Sequence, residues 1–246
     1  MIRPRQAGSG STLECVCDPM TRTLEVIVTS AEEAFDAQEG GADRLELAHS
    51  LEDEGLTPTS QTIHKVTRAV SIPVRVILRN SPSMEASSEE EVTRLVAEAK
   101  AFADTNIDGF VLGFVGQGTL DLDVMARILE AVPGVPVTFH RAFEHVRDPL
   151  GTIDELKRFP SVDRILTNGG EGSWEQRKAR LREWREAAAP QIKIVVGGGL
   201  TSALLSEFAQ QTPFTEFHVG RAARTPPISS GTVVRAQVAS LKSALA

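Results

Sequence analysis

A short apolar strand followed by an amphipathic helix recurs eight times from Leu24 to the C-terminus, and few folds accommodate that pattern. The expected strands are 24–28, 43–48, 74–78, 108–113, 136–140, 163–167, 192–196 and 215–219. The expected helices are 30–40, 59–70, 88–105, 121–132, 148–158, 174–188, 201–211 and 231–245. Local signals agree with these bounds. Thr29-Ser30 and Ser87-Ser88 stand where helix caps belong, and Pro149 sits in a first helical turn, where its missing N–H is harmless. Strict alternation means parallel strands joined by crossover helices. Eight units in 246 residues favour a closed (β/α)₈ TIM barrel, typically ~250 residues long, over a doubly wound open sheet. The barrel is expected over residues 24–246, with 1–23 as a Gly/Ser-rich, partly disordered extension.

Strands covered on both faces should be nearly all Val, Ile and Leu, and these are not. Glu25, Arg44, Glu46, Arg75, Thr138, His140, Glu216 and His218 interrupt the apolar runs, and Arg79 ends the third. With a period of two, Glu25 shares a face with Ile27, Arg44 with Glu46, Arg75 with Arg79, Thr138 with His140, and Glu216 with His218. That face is assigned to the lumen, where opposite charges offset one another's desolvation. Arg44 and Arg75 lie deep and read as structural. Barrel enzymes work at the C-terminal strand ends, and the loops after strands 7 and 8 often hold a phosphate. Gly197-Gly198-Gly199 and Gly220-Arg221 fall there, so backbone amides can approach an anion. The candidate anion-binding set is Glu25, Arg79, Thr167, Gly198, Gly199, His218 and Arg221. Glu46 and His140 are the candidates for moving a proton. His49 follows strand 2 in a loop at the same end.

A net charge of −7 without a compensating basic stretch argues against nucleic acid or an anionic membrane as partner. No apolar run approaches the ~20 residues of a membrane span, and the start lacks a signal-peptide core, so a cytoplasmic address is expected. Cys15 and Cys17, with Met20, supply soft sulfur that suits Cu(I); the alternative is a pair of ordinary thiols on a peripheral segment. Zinc-protease, Walker A and GxGxxG patterns are missing, and no lysine ends a strand at the site, which disfavours Schiff-base chemistry.

Several segments are similar to one family. Leu24-Glu25-Val26, Gly40-Gly41-Ala42-Asp43-Arg44-Leu45-Glu46-Leu47 and Glu54-Gly55-Leu56-Thr57-Pro58 resemble the opening of copper homeostasis proteins of the CutC family. Gly109-Phe110-Val111-Leu112-Gly113, Val137-Thr138-Phe139-His140-Arg141-Ala142-Phe143 and Arg164-Ile165-Leu166-Thr167-Asn168-Gly169 continue the match, which spans about residues 24–225. The resemblance implies a TIM barrel, a cytoplasmic homo-oligomer such as a dimer, and copper-ion binding. The chain departs from the pattern at informative places. Ile27 and Ala48 replace cysteines usual in the family, Arg79-Asn80-Ser81 keeps only the first arginine of an Arg-Pro-Arg run, and Glu144 replaces an aspartate. Two functions therefore stay open: copper homeostasis with copper as the bound ion, or a lyase- or isomerase-type enzyme acting on a small anionic metabolite, phosphorylated or not.

Overall fold

The computed structural model describes residues 21–86 and 88–246. Eight parallel strands form the barrel: β1 (Thr23–Val28), β2 (Arg44–Leu47), β3 (Val74–Ile77), β4 (Gly109–Leu112), β5 (Val137–Phe139), β6 (Val162–Thr167), β7 (Lys193–Val196) and β8 (Glu216–Val219). They close in the order β1-β8-β7-β6-β5-β4-β3-β2. Eight helices ring them: α1 (Ala31–Glu39), α2 (Ser60–Ala69), α3 (Glu89–Ala103), α4 (Leu122–Ala131), α5 (Pro149–Leu156), α6 (Trp174–Ala188), α7 (Ser202–Gln211) and α8 (Arg235–Ser243). Seven of the eight open on a side-chain cap, from Ser30 to Thr201, and Ser173 with Gln176 forms a full capping box. Each such cap is worth about 1 kcal/mol. None of the described helices is long and apolar enough to cross a membrane.

The expected eighth helix, 231–245, starts four residues late. Thr232–Val233 instead pairs antiparallel with Arg224–Thr225, and α8 follows that small ribbon. A second ribbon, Val115–Gly116 with Thr119–Leu120, precedes α4 and was likewise not expected. Residues 1–20, including Cys15, Cys17 and Met20, lie outside the described residues.

Register decides which side chains enter the lumen, because paired residues of parallel strands share a face. Glu25 pairs with Arg44 and with His218, Glu46 with Ile27 and Arg75, and Thr138 with Arg164. The alternate residues, such as Leu24, Val26, Leu45, Phe110, Phe139, Ile165 and Phe217, are fully buried against the helices.

The lumen itself is layered. Its deep part is an ion-pair network. Arg44 bonds Glu25 through Nε and Glu216 through Nη2 at 2.8 Å, and Glu216 also receives Arg164 and Lys193 at 3.2 Å. Arg75 grips Asp163 in bidentate fashion at 2.6 and 2.7 Å and donates to Thr138 Oγ1 at 2.7 Å. Above that layer sits a small apolar patch of Ile27, Ala48, Ile77 and Val111, joined by Leu51 from the β2–α2 loop. Charge beneath and hydrocarbon above give the mouth of the barrel its floor.

Candidate functional site at the mouth of the barrel

At the C-terminal ends of the strands a cavity of about 370 Å³ opens, lined by residues from seven strands or the loops that follow them. Ile27, Ile77, Leu51 and Leu166 supply its apolar wall, and Glu46, His140, His218 and Arg224 its buried polar groups. A groove of about 590 Å³ at the opposite end, around Leu129, Pro133 and Phe159, is remote from these groups.

Glu46 is 3% exposed and its Oε2 has no hydrogen-bond partner. Burial pushes its carboxyl up to about 7, the nearby Glu25 carboxylate adds to the rise, and His218 and Arg44 oppose it. Glu25, fully buried, behaves oppositely. Burial disfavours its charge, but the Arg44 guanidinium and the His218 hydrogen bond prevail and hold it well below the usual carboxylate range. His218 Nδ1 lies 2.8 Å from Glu25 Oε1 and 3.9 Å from Glu46 Oε2. Burial lowers its pKa, yet the Glu46 and Glu25 carboxylates more than offset that and raise it. Beside the permanently ionised Glu25, Glu46 and His218 thus exchange protons near neutrality as a coupled pair.

His140 is fixed in the opposite state. The backbone N–H of Ala142 donates to its Nδ1 at 3.1 Å, so the ring proton sits on Nε2. Burial, with the Arg79 charge, drives its pKa down to about 3, and the imidazole is neutral at pH 7. That Nε2–H has no partner. Gly113 makes this packing possible, since a Cβ there would lie 2.8 Å from Nδ1.

Arg224, 2% exposed, is the site residue that strand periodicity missed. It lies in the ribbon beyond β8, where its Nη groups grip Glu33 of α1 at 2.6 and 3.0 Å and the Ile27 carbonyl at 3.1 Å. Its Nε is left without a partner. Glu33 is in turn held by the N–H and hydroxyl of Thr29. An arginine three residues after Arg221 was visible in the sequence, but nothing in the local pattern says which one turns inward.

The other expected site residues divide. Gly198 and Gly199 carry φ of +76° and +96°, a left-handed turn that glycine adopts without strain, and both line the cavity. Arg221 lines it from the rim, exposed, and among the described residues no hydrogen bond or ion pair engages its guanidinium. Arg79 also borders the cavity, but its donors are committed. Nε reaches the Ser81 carbonyl at 2.9 Å, Nη1 the Glu54 and Gly55 carbonyls at 3.3 and 3.2 Å, and Nη2 that of Pro82 at 2.5 Å. It ties together the loops after β2 and β3, including Glu54, a non-glycine residue at φ +62°. Thr167 follows lumen-facing Leu166 and therefore takes the outer face. Its hydroxyl lies 3.4 Å from Glu144 and accepts the Gly169 N–H at 3.1 Å, outside the cavity lining. His49 is exposed and pairs its backbone with Leu56.

Among the described residues one group of three offers potential metal-ligating atoms within 4.8 Å of one another: Glu25, Glu46 and His218. Both Glu25 oxygens are already engaged, by Arg44 and His218, and the Arg44 charge lies beside them. The positions where the resemblance implies cysteine, Ile27 and Ala48, belong to the apolar patch. An all-oxygen-and-nitrogen set without thiolate does not suit Cu(I).

The sequence model of the CutC family matches residues 22–223. The human copper homeostasis protein cutC homolog is 32% identical over 196 residues, covering 79% of this chain and 71% of the relative. The mouse homolog is also 32% identical, covering 79% and 72%. A crystal structure from Streptococcus agalactiae, described as a CutC copper homeostasis protein, superposes with a TM-score of 0.75 at 23% identity, covering 81% of this chain and 98% of that one. Phosphoribosylanthranilate isomerase from Thermotoga maritima shares the fold alone, with a TM-score of 0.59 at 10% identity over 92% and 98%. By the family match and by its identity to the human and mouse proteins, this chain belongs to the CutC family.

Proposed function

We propose that this chain acts in copper homeostasis, the role for which its human and mouse relatives are named, through a small anionic ligand held at the barrel mouth. A single observation carries the ligand reading. Three side chains that line the cavity, each at least nine-tenths buried, present a polar atom with no partner: Glu46 Oε2, His140 Nε2 and Arg224 Nε. Leaving a buried donor or acceptor unsatisfied costs about 1–3 kcal/mol. Three around one cavity are the mark of a site awaiting polar atoms from a ligand. Arg221 and the Gly198-Gly199 amides add positive potential on the β7–β8 side, where a carboxylate or phosphate group would sit. The reading also includes the cytoplasmic homo-oligomer implied by family resemblance, without nucleic-acid or membrane partners, in keeping with the net charge of −7.

Phosphate, sulfate or a sugar phosphate at millimolar concentration is expected to raise the melting temperature by mass action. Arg221→Ala should remove most of that rise while leaving the ligand-free melting temperature unchanged, since that side chain is exposed and unpaired. No rise with any of these anions in the parent protein would remove the support for an anion site.

Copper itself is tested separately. Without thiolates at positions 27 and 48, tight Cu(I) binding in the lumen is expected to be absent. In competition against a Cu(I) chelator, any tight binding by the full chain should disappear in the Cys15→Ser/Cys17→Ser variant. Undiminished tight binding by that variant would overturn the argument that Cu(I) capture here needs sulfur.

A further inference from the structure

The three unpartnered atoms differ in chemistry, and the difference points to more than binding. His140 presents a neutral N–H donor, locked in one tautomer by the Ala142 amide. Glu46 presents a carboxylate oxygen with no competing donor. Between β2 and β5 the wall is hydrocarbon, from Ile77 of β3 and from Ile27 and Leu51 nearby. A ligand meeting all three must offer an oxygen to His140, a carbon skeleton to the wall and a removable proton to Glu46. Its anionic end would meet Arg224 and Arg221 on the β8 side.

We propose that the barrel mouth abstracts a proton from the carbon next to the carbonyl group of a small carboxylated or phosphorylated compound, with Glu46 as base and His140 as donor to the carbonyl oxygen. This rests on the anion-site reading above. In the step, the C–H electron pair moves into the carbon–carbon bond to form an enolate, and the carbonyl π pair moves onto oxygen. The proton goes to Glu46 Oε2, and the enolate oxygen is held by the His140 Nε2–H. Glu46 exchanges that proton with solvent, and reprotonation of the same carbon then restores the compound, so no oxidant or co-reactant is needed. A neutral imidazole donor suits this work, because it stabilises developing charge on oxygen without first neutralising the base. The hydrocarbon wall keeps water from the enolate.

The test uses the full chain in D₂O with a chelator present. Pyruvate, 2-oxobutyrate and dihydroxyacetone phosphate serve as probes, melting temperature reports binding, and proton NMR reports deuterium entering the carbon next to the carbonyl. At least one probe is expected to raise the melting temperature and to exchange faster than in buffer, with a rate that rises as pH passes through about 7, where Glu46 loses its proton. Glu46→Gln should slow exchange about 10²–10⁴-fold. His140→Gln should slow it about 10²–10³-fold. Both should still be stabilised by the probe. Glu46→Asp, which keeps the charge but withdraws it by one methylene, should also lose exchange, and it guards against misfolding of the glutamine variant. Stabilisation with exchange no faster than buffer would overturn the proton-transfer proposal and leave the anion site intact. Stabilisation by phosphate, sulfate or a sugar phosphate but by none of the three probes would overturn the proton-transfer proposal alone, and no stabilisation by any of these compounds would overturn both. Exchange unaffected by the Glu46 variants would also overturn the proposal.

Discussion

Arg44→Ala is expected to lower folding stability by about 3–5 kcal/mol, the cost of removing one partner from a buried ion pair. Arg44 is 4% exposed and is the only arginine or lysine among the described residues bonded to Glu25, which is wholly buried; it also bonds Glu216, 3% exposed. Without it, Glu25 keeps only the His218 contact, and Glu216 keeps Arg164 and Lys193 at 3.2 Å. The Glu25 carboxyl must then take up a proton or remain charged in the barrel interior. Neutralising the stranded acids should recover much of the loss, so Arg44→Met combined with Glu25→Gln and Glu216→Gln should be more stable than Arg44→Ala. Urea unfolding at pH 7 measures both. A loss below about 1 kcal/mol, the scale of an exposed pair, would show that water reaches this layer and that it is not the buried network described.

The second large effect concerns acid. His140 titrates near 6.5 when unfolded and about 3 when folded, so between those values the unfolded chain binds the extra proton. Its contribution to stability is full above 6.5 and is lost as pH falls toward 3. Glu46 works in the other direction, with a folded value of about 7 against 4.5 unfolded. Its folded form binds the extra proton in that window, so its contribution grows as pH falls from 7 to 4.5. The two slopes, each about 1.4 kcal/mol per pH unit at full strength, oppose between 4.5 and 6.5. Stability of the parent chain should therefore be nearly level there. Below 4.5 it should fall steeply, because Glu25, held below the usual carboxylate range, then resists the protonation its unfolded form accepts. Removing either side chain uncovers the other. His140→Gln should become more stable as pH drops from 7 to 4.5, and Glu46→Gln should lose stability from 6.5 downward. Urea midpoints across that range decide the matter, and parallel curves for the two variants would refute the opposed protonation states.

The barrel and its lumen were legible in the sequence because two periodicities reported them independently. The strand–helix alternation gave eight units, and the two-residue spacing of Glu25, Glu46, His140 and His218 gave the inward face. Position along a strand is a weaker guide than parity. Thr167 stands at a C-terminal strand end, but Leu166 takes the lumen and Thr167 the outer face. Arg79 has the right parity, yet its donors are taken by five loop carbonyls whose positions no sequence pattern announces. Arg224 was out of reach for a third reason. It belongs to a ribbon after the last strand, and its long-range contacts with Glu33 and the Ile27 carbonyl, 191 and 197 residues earlier, hold it at the site. The replacement of family cysteines by Ile27 and Ala48 was readable, but that these residues join Ile77, Val111 and Leu51 in one apolar patch needed the fold.

The Arg44–Glu216 bond joins residues 172 apart, across the seam where the first strands meet the last. Arg44 and Glu25, 19 residues apart, can pair early in synthesis, but Glu216 arrives only when β8 is made. Closing so long a loop is an entropic toll met late, and contacts formed after the rate-limiting step slow unfolding more than they speed folding. The seam pair therefore acts as a latch on lifetime: the closed barrel should persist longer than its equilibrium stability alone would suggest, and an interrupted chain ending before β8 would carry an arginine in its interior with half its counter-charge missing.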